Sequence, residues 1–249
     1  LANKGIASIR YDKRSFAHGL KMVRDKSTII TVKEETIDDA ILATELLKKD
    51  SRIDSHNIFI IGHSMGGMLA PRIDSEGGKY KGLIIMAGTP RKLEDVMLEQ
   101  NEAVLSSTKG LVNWIVRKQV AKLSGLFSGL YELSDEEAKK KKVMGGTTLY
   151  YFKEMGEHSV ADYLATTKKP MLIVQGEKDF QVSVEKDFNE YKRLLNDKTN
   201  VEFRLYENLN HAFVNYLYSD ILKAKQEYNT ERHIGEEVIS DIADWIMKN

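Results

Sequence analysis

The sequence predicts an α/β fold in which helices flank a doubly wound, mostly parallel sheet. Three short and continuous apolar runs support this prediction, because strands buried on both faces of a parallel sheet have this pattern. Segments of helical length separate the runs, so strands and helices alternate along the chain. The runs are NIFIIG at 57–62, GLIIMAGTP at 82–90 and PMLIVQGEKD at 170–179.

The first part of the chain adds a strand and a helix to this pattern. We interpret GIASIRYD, residues 5–12, as a short strand that ends in charged residues. Thr31 and Glu34 then fit a capping box, which marks the beginning of a helix. Apolar residues follow at the spacing of one helix face, namely Ile37, Ala40, Ile41 and Leu47.

The last part of the chain completes the alternation. VEFRLYENLNHAF, residues 201–213, predicts a further strand with a loop after it. GEEVISDIADWIMKN, residues 235–249, predicts a closing helix. No internal repeat or low-complexity tract interrupts the order, so the chain is expected to form one α/β unit.

A long segment without strand signals divides this unit. Residues 91–169 contain helical patterns with exposed charge and are too many for an ordinary loop. We therefore predict a core formed by residues 1–90 and 170–249, with a helical lid or cap insertion at 91–169. Insertions of this kind often cover a site. A helical layer that only packs on the sheet edge is the alternative.

Length and composition exclude several classes of protein. The chain has 249 residues, enough for one large α/β domain or two small ones. Its 37 basic and 37 acidic residues produce no overall field for nucleic acid or an anionic membrane, so polyanionic partners are not expected. No run of about 18 apolar residues occurs, so no membrane span is predicted.

The absence of cysteine excludes disulfides, thiolate metal sites and cysteine nucleophiles. No ligand cluster has metal spacing, and we predict neither a metal nor a cofactor. The compartment stays open, because a chain without cysteine suits reducing and oxidising settings alike. The sequence begins without methionine or a signal-like segment, so we expect that any targeting segment is removed or lies upstream.

A G-x-S-x-G pattern is the strongest functional signal. It spans Gly62 to Gly66, follows an apolar run and precedes a helical pattern, which is the context of a nucleophile elbow. In such a sharp turn the strand and helix backbones approach closely, so we expect both glycines to be required for space. Ser64 is the candidate nucleophile.

A serine hydroxyl needs a base and an orienting carboxylate to become nucleophilic. Asp179 and His211 follow the two later strands in the order expected for this fold. All three residues thus lie beyond carboxyl ends of parallel strands, where ligands bind. We predict that Ser64 attacks an acyl carbonyl, His211 transfers the proton, and Asp179 holds the imidazole tautomer.

Other residues were weighed for the same roles. Glu177 is the alternative acid, because it lies two residues before Asp179 on the same loop. His63 is interpreted as a residue that shapes the elbow rather than as the base. The remaining histidines are interpreted as surface or packing residues; they are His18, His56, His158 and His233.

Taken together, these motifs resemble the α/β-hydrolase superfamily, and more closely bacterial carboxylesterases of the EstD type, near dienelactone hydrolases and prolyl oligopeptidase catalytic domains. The resemblance covers almost the whole chain and is weakest in the insertion. The segments that carry it are KGIASIRYDKR at 4–14, EETIDDAILATELL at 34–47, IGHSMGGMLAPRI at 61–73, AGTPRKLEDVMLEQ at 87–100, PMLIVQGEKDFQVS at 170–183 and LYENLNHAF at 205–213.

The resemblance implies an esterase for short to medium acyl chains, with Ser64, Asp179 and His211 as its triad. It also implies that the backbone N–H of Met65 is one oxyanion donor. The second donor in such enzymes comes from the loop after the third strand, and AHG at 17–19 does not correspond to that loop. Because residues 5–12 match the fourth strand, we expect upstream sequence, a gap in the sheet, and an exposed strand able to pair with another copy.

Three functions compete on this evidence. A serine carboxylesterase acting on a small-molecule ester is preferred, with apolar pocket surface supplied by the insertion. The residues considered for that surface, or alternatively for plain packing, are Trp114, Leu126, Phe127, Tyr150, Tyr151 and Phe152. A peptidase, acyl-aminoacyl hydrolase or thioesterase is the second hypothesis, and a non-catalytic binding module or inactive fragment is the third.

Overall fold

The structure is a computed structural model that describes residues 1–24, 29–143, 147–216, 221–223, 226 and 229–249. Within these residues, four parallel strands form one sheet in the order β1-β2-β3-β4. The strands are β1 Phe59–His63, β2 Gly82–Met86, β3 Met171–Gly176 and β4 Val201–Tyr206. The predicted α/β class and parallel sheet are confirmed.

Helices separate the strands, as the sequence predicts. Before β1 and between β1 and β2 lie α1 Arg14–Arg24, α2 Asp38–Lys49 and α3 Met65–Ile73. Between β2 and β3 lie α4 Leu93–Ser107, α5 Gly110–Phe127, α6 Asp135–Lys140, α7 Leu149–Glu157 and α8 Val160–Thr166. The last two are α9 Asn189–Leu194, between β3 and β4, and α10 Glu236–Lys248.

Both faces of the sheet are covered. Successive strand residues point to opposite faces, so Leu83 and Ile85 join one apolar cluster, whereas Ile84 joins another. The first cluster includes side chains of α3 and the helices between β2 and β3. The second is closed by α10, where Trp245 packs edge-on against Phe59 with ring centroids 5.8 Å apart.

The predicted capping signal before α2 is present. The carboxylate of Glu34 accepts the Thr31 N–H at 2.8 Å, and the Thr31 hydroxyl accepts the Lys33 N–H at 3.2 Å. A π-helical turn, Lys33–Ile37, then leads into α2. Ile37 in this turn is fully buried, and Ala40, Ile41 and Leu47 of α2 pack partly buried against the same cluster, so the predicted apolar face lies toward the core.

The strand predicted at residues 5–12 is wrong. This stretch is irregular, and Ile9 and Tyr11 are 37% and 45% exposed. A strand exists only where a neighbour accepts and donates its ladder hydrogen bonds, and none of the described strands lies beside this stretch. The free edge of β1 therefore stays unpaired within the described residues, and Ile61 on it is 40% exposed.

Residues 91–169 are helical, with α4 to α8 occupying most of the segment. These helices pack against one another as well as against the core. For example, the rings of Phe127 in α5 and Phe152 in α7 lie 5.0 Å apart, and both are buried. Within the part of the chain that the structure describes, no helix is both long and apolar enough to cross a membrane. The domain limits and the lid role stay predictions.

Candidate active site

Ser64 is the single residue between the end of β1 and the beginning of α3. Its backbone has φ 55° and ψ −120°, a conformation that non-glycine residues rarely adopt and that marks stored strain. The Ser64 N–H donates to the Met86 carbonyl at 2.8 Å, which holds the turn against the end of β2. This strand, strained residue and helix in succession have the form of a nucleophile elbow.

Only one of the two motif glycines is required for space. A Cβ on Gly62 would lie 2.2 Å from the carbonyl oxygen of Gly66, whereas a Cβ on Gly66 would meet nothing within 4 Å. The expectation for Gly66 is therefore wrong, because it is the backbone of Gly66 that approaches Gly62. Gly67, the residue after the motif, is also closely packed: its Cβ would lie 3.1 Å from the Gly62 oxygen and 3.2 Å from Gly88 Cα.

Asp179 lies just beyond β3, and its side chain is fully buried. One carboxylate oxygen accepts the Gln181 N–H at 2.8 Å and the Val182 N–H at 3.0 Å, and the other accepts Gln175 Nε2 at 2.7 Å. A buried carboxylate is tolerated when such donors replace water. The loop is thus folded around the carboxylate.

His211 and Asp179 are brought together. His211 Nδ1 lies 2.7 Å from Asp179 Oδ2, and the His211 side chain is only 6% exposed. Because a carboxylate accepts, the proton of neutral His211 is on Nδ1, which leaves Nε2 as the basic nitrogen. Glu177 instead pairs with Lys178 at 3.2 Å on the surface, so the geometry favours Asp179 as the orienting acid.

The loop that presents His211 is organised by Asn210, which is fully buried. Asn210 Oδ1 accepts the Ala212 N–H at 2.9 Å and the Val214 N–H at 3.3 Å. The turn brings Phe213 to φ 58°, an uncommon conformation for a bulky residue. Asn210 therefore sets the path of the backbone on which His211 sits.

His63 joins the elbow to this loop. His63 Nε2 lies 2.7 Å from the main-chain oxygen of His211, and the two imidazole centroids are 4.8 Å apart. A carbonyl can only accept, so Nε2 of His63 carries a proton. The side chain keeps more than a third of its surface exposed, yet neighbouring protein partly desolvates the ring and lowers the pKa of His63.

An ion-pair cluster fixes the Asp179 loop from the opposite side. Asp187 is fully buried and accepts hydrogen bonds from Thr89 Oγ1 at 2.6 Å, Arg91 Nε at 2.7 Å and the Ser183 N–H at 2.7 Å. Thr89 and Arg91 follow β2, and Ser183 ends the loop that begins at Asp179. The cluster therefore ties this loop to the end of β2.

The predicted oxyanion residue, Met65, is the first residue of α3. The first N–H groups of a helix have no intrahelical acceptor, so the Met65 N–H is a suitable anion donor. Its side chain contacts Tyr151, whose hydroxyl lies 3.7 Å from Met65 Sδ and donates to Glu35 at 2.7 Å. Burial, reinforced by Glu35, strongly raises the pKa of Tyr151.

The second link of the predicted triad, between Ser64 and His211, is open. No hydrogen bond joins the Ser64 hydroxyl to His211 among the residues described here, although His63 connects their two loops. Two of the three predicted residues are therefore in contact, and the third lies on the adjoining turn.

A cavity of about 370 Å³ adjoins the acid loop. Asp179, Phe180 and Gln181 form part of its wall, and Glu99 and Gln100 of α4 form the opposite part. The helical segment thus borders the site. Of the aromatic residues considered for a pocket, Phe127 and Phe152 are packed inside, whereas Trp114 is 53% exposed.

Sequence reasoning missed Gln175 and Asn210. Gln175 interrupts an apolar run four residues before Asp179, and Asn210 directly precedes His211. Their closeness in sequence to Asp179 and His211 was the available signal, but their hydrogen-bond partners are identified only in the folded structure. Within the described ranges, no group of three or more potential metal ligands occurs.

Comparison with known proteins gives matches across most of the chain. Residues 1–216 match the family model Hydrolase_4, described as serine aminopeptidase, S33. Esterase EstD of Thermotoga maritima is 30% identical over 248 residues, which cover 100% of this chain and 55% of that protein. The chain thus spans about half the length of this curated relative.

Solved structures share the fold. The Pyrococcus furiosus esterase Pf2001, in space group P212121, is 19% identical, with a TM-score of 0.50 over 88% of this chain and 63% of that chain. The same esterase in space group C2221 has 18% identity and a TM-score of 0.50 over 90% and 64%. At this identity the likeness shows the fold alone.

Proposed function

Because the chain belongs to the Hydrolase_4 family of serine hydrolases, we propose that it contributes the active site of a carboxylesterase. The observation that carries the proposal is the 2.7 Å contact between His211 Nδ1 and Asp179 Oδ2, at the same sheet edge as Ser64. An orienting acid, a base with a free Nε2 and a strained serine are the parts that acyl transfer requires.

In the proposed reaction, His211 Nε2 removes the proton from Ser64 while the serine oxygen attacks the ester carbonyl. The Met65 N–H donates to the oxyanion, and His211 then protonates the departing alcohol. Water, deprotonated by His211, hydrolyses the acyl-serine and restores the free hydroxyl. Asp179 stabilises the charged imidazole throughout without taking its proton.

The proposed substrates are esters of short to medium acyl chains. The support for an ester substrate is that the relative named above is an esterase. Turnover of p-nitrophenyl esters from acetate to decanoate tests this directly, with Ser64→Ala as the control. Hydrolysis that the substitution leaves unchanged would reject Ser64 as the nucleophile.

A peptidase is a second candidate, for a specific reason. The cavity beside Asp179 also contains Glu177 and Glu185, and an acidic wall favours a substrate with a cationic amino group. Cleavage of aminoacyl p-nitroanilides faster than the matching esters would favour this candidate. Labelling by a fluorophosphonate probe separates both hydrolases from a non-catalytic binding module, which would not react at Ser64.

A further inference from the structure

The outer face of α5 exposes an unusual amount of apolar surface. Leu111 is 73% exposed and Trp114 53%, and Val112 and Ile115 are similarly exposed. The inner face of the same helix is buried at Leu123 and Phe127. The first turns of α5 therefore expose apolar side chains, whereas its buried residues lie in its last turns. Contiguous exposed apolar surface of this kind marks interaction sites.

The same helix is exclusively basic among its charged residues. No aspartate or glutamate occurs anywhere in residues 103–131. The basic residues in and next to α5 are Lys109, Arg117, Lys118 and Lys122. None of them forms an ion pair with another residue in the described part of the chain. The balanced total charge of the chain therefore conceals a local positive surface.

Apolar and basic groups share one side of the helix. Lys118 follows Trp114 by one turn, and its ammonium group lies 3.9 Å from the centroid of the Trp114 ring. Lys122 follows by another turn. Lysine stems cover apolar surface while their ammonium groups remain in water, so the face presents leucine, isoleucine and tryptophan beside positive charge.

A groove continues this surface toward the C-terminal end of α5. It encloses about 340 Å³, with Leu123, Leu126 and Val143 as apolar lining. Three lysines stand around the same groove, namely Lys118, Lys122 and Lys142. Apolar lining with a cationic rim matches an acyl chain that carries an anionic head group.

We propose that the outer face of α5 docks on an anionic lipid surface. Interfacial helices combine Trp and Leu on the inserted side with Lys and Arg near the head groups, and each Lys or Arg near an anionic surface adds to binding. A second copy of the chain fits less well, because a two-fold contact would place unpaired lysines against unpaired lysines. The proposal does not depend on the hydrolase reaction.

The test is sedimentation of residues 1–249 with vesicles of phosphatidylcholine alone or mixed with equal phosphatidylglycerol. The tryptophan emission is recorded in the same samples. Trp245 is only 2% exposed, so its emission should not change on binding, and a blue shift reports on Trp114. We expect binding to the mixed vesicles only, weakened by salt. Lys118→Gln with Lys122→Gln weakens it about 25-fold, since each basic residue contributes about fivefold.

Two matched double variants distinguish binding through this face from nonspecific adsorption to the vesicles. Leu111→Ser with Ile115→Ser is expected to weaken binding at least about tenfold. Leu42→Ser with Leu46→Ser is expected to leave it unchanged, because these leucines are 62% and 61% exposed but lie on α2 near acidic residues. Circular dichroism confirms that each variant is folded.

Three results would overturn the proposal. The first is no binding to the mixed vesicles by the folded parent chain. The second is equal loss of binding in the α2 and α5 variants. The third is a dimer in sedimentation equilibrium that dissociates on substitution of Leu111 and Ile115, which would assign the face to a second copy.

Discussion

His63 donates from Nε2 to the main-chain oxygen of His211 at 2.7 Å, so the residue before the elbow serine holds the loop of the proposed base. The connection joins the two loops that the proposed reaction must bring together. It involves a neutral histidine at pH 7, because partial desolvation lowers the pKa of His63.

We expect His63→Phe to reduce kcat about fivefold with little change in KM, because the lost hydrogen bond of about 1 kcal/mol positions the base rather than the substrate. Ester hydrolysis under saturating substrate measures this. His56→Phe is the control, since the His56 side chain is 94% exposed, and it should behave as the parent. Equal rates in both variants would contradict the positioning role.

Asp179→Asn is expected to lower kcat by about four orders of magnitude, because an amide favours the wrong tautomer of His211. Glu177→Gln should retain nearly full activity, since among the described residues this carboxylate pairs only with Lys178. The two neighbouring carboxylates thus form an internal comparison. A larger loss in the Glu177 variant would transfer the orienting role to Glu177.

The two motif glycines are expected to respond differently to alanine. Gly62→Ala places a methyl group 2.2 Å from the Gly66 oxygen and should cost about 3 kcal/mol or more in unfolding free energy. Gly66→Ala meets open space inside a helix and should be neutral or stabilising by up to about 1 kcal/mol. Urea unfolding of both variants measures the two changes in unfolding free energy. Similar destabilisation by Gly62→Ala and Gly66→Ala would refute the different spatial requirements of the two glycines.

Glu94 supplies a pH dependence of stability. Glu94 is 4% exposed and accepts from Tyr131, but its Oε2 has no partner among the described residues, and burial raises the pKa of Glu94. The folded state therefore binds a proton more tightly than the unfolded state, so this residue destabilises the fold increasingly as pH rises from its ordinary pKa through its raised one.

Glu94→Gln should accordingly be more stable than the parent at pH 7. The difference should shrink as pH falls toward about 4.3, the ordinary glutamate pKa. Chemical unfolding at several pH values measures it. Asp95→Asn is the control on the same helix, because the Asp95 side chain is exposed and its substitution should show no such trend. A gain in stability for Glu94→Gln that is the same at every pH would contradict the role of the buried charge.

Much of this fold follows from apolar runs in the sequence. The four strands and the sheet-end positions of Ser64, Asp179 and His211 were predictable, because buried parallel strands have a distinctive composition. The strand predicted at residues 5–12 does not form, since strand formation depends on a pairing neighbour as well as on composition. Gln175 and Asn210 were missed for a related reason: their partners come together only on folding.

The parallel sheet also has a consequence for the order of assembly. β1 and β2 are close in the chain and can pair early, whereas β3 reaches β2 only after α4 to α8. Contacts between distant segments form slowly. During synthesis from the N-terminus, the serine turn can therefore close on β2 well before the loops of Asp179 and His211 leave the ribosome, so the three proposed catalytic residues come together only late in assembly.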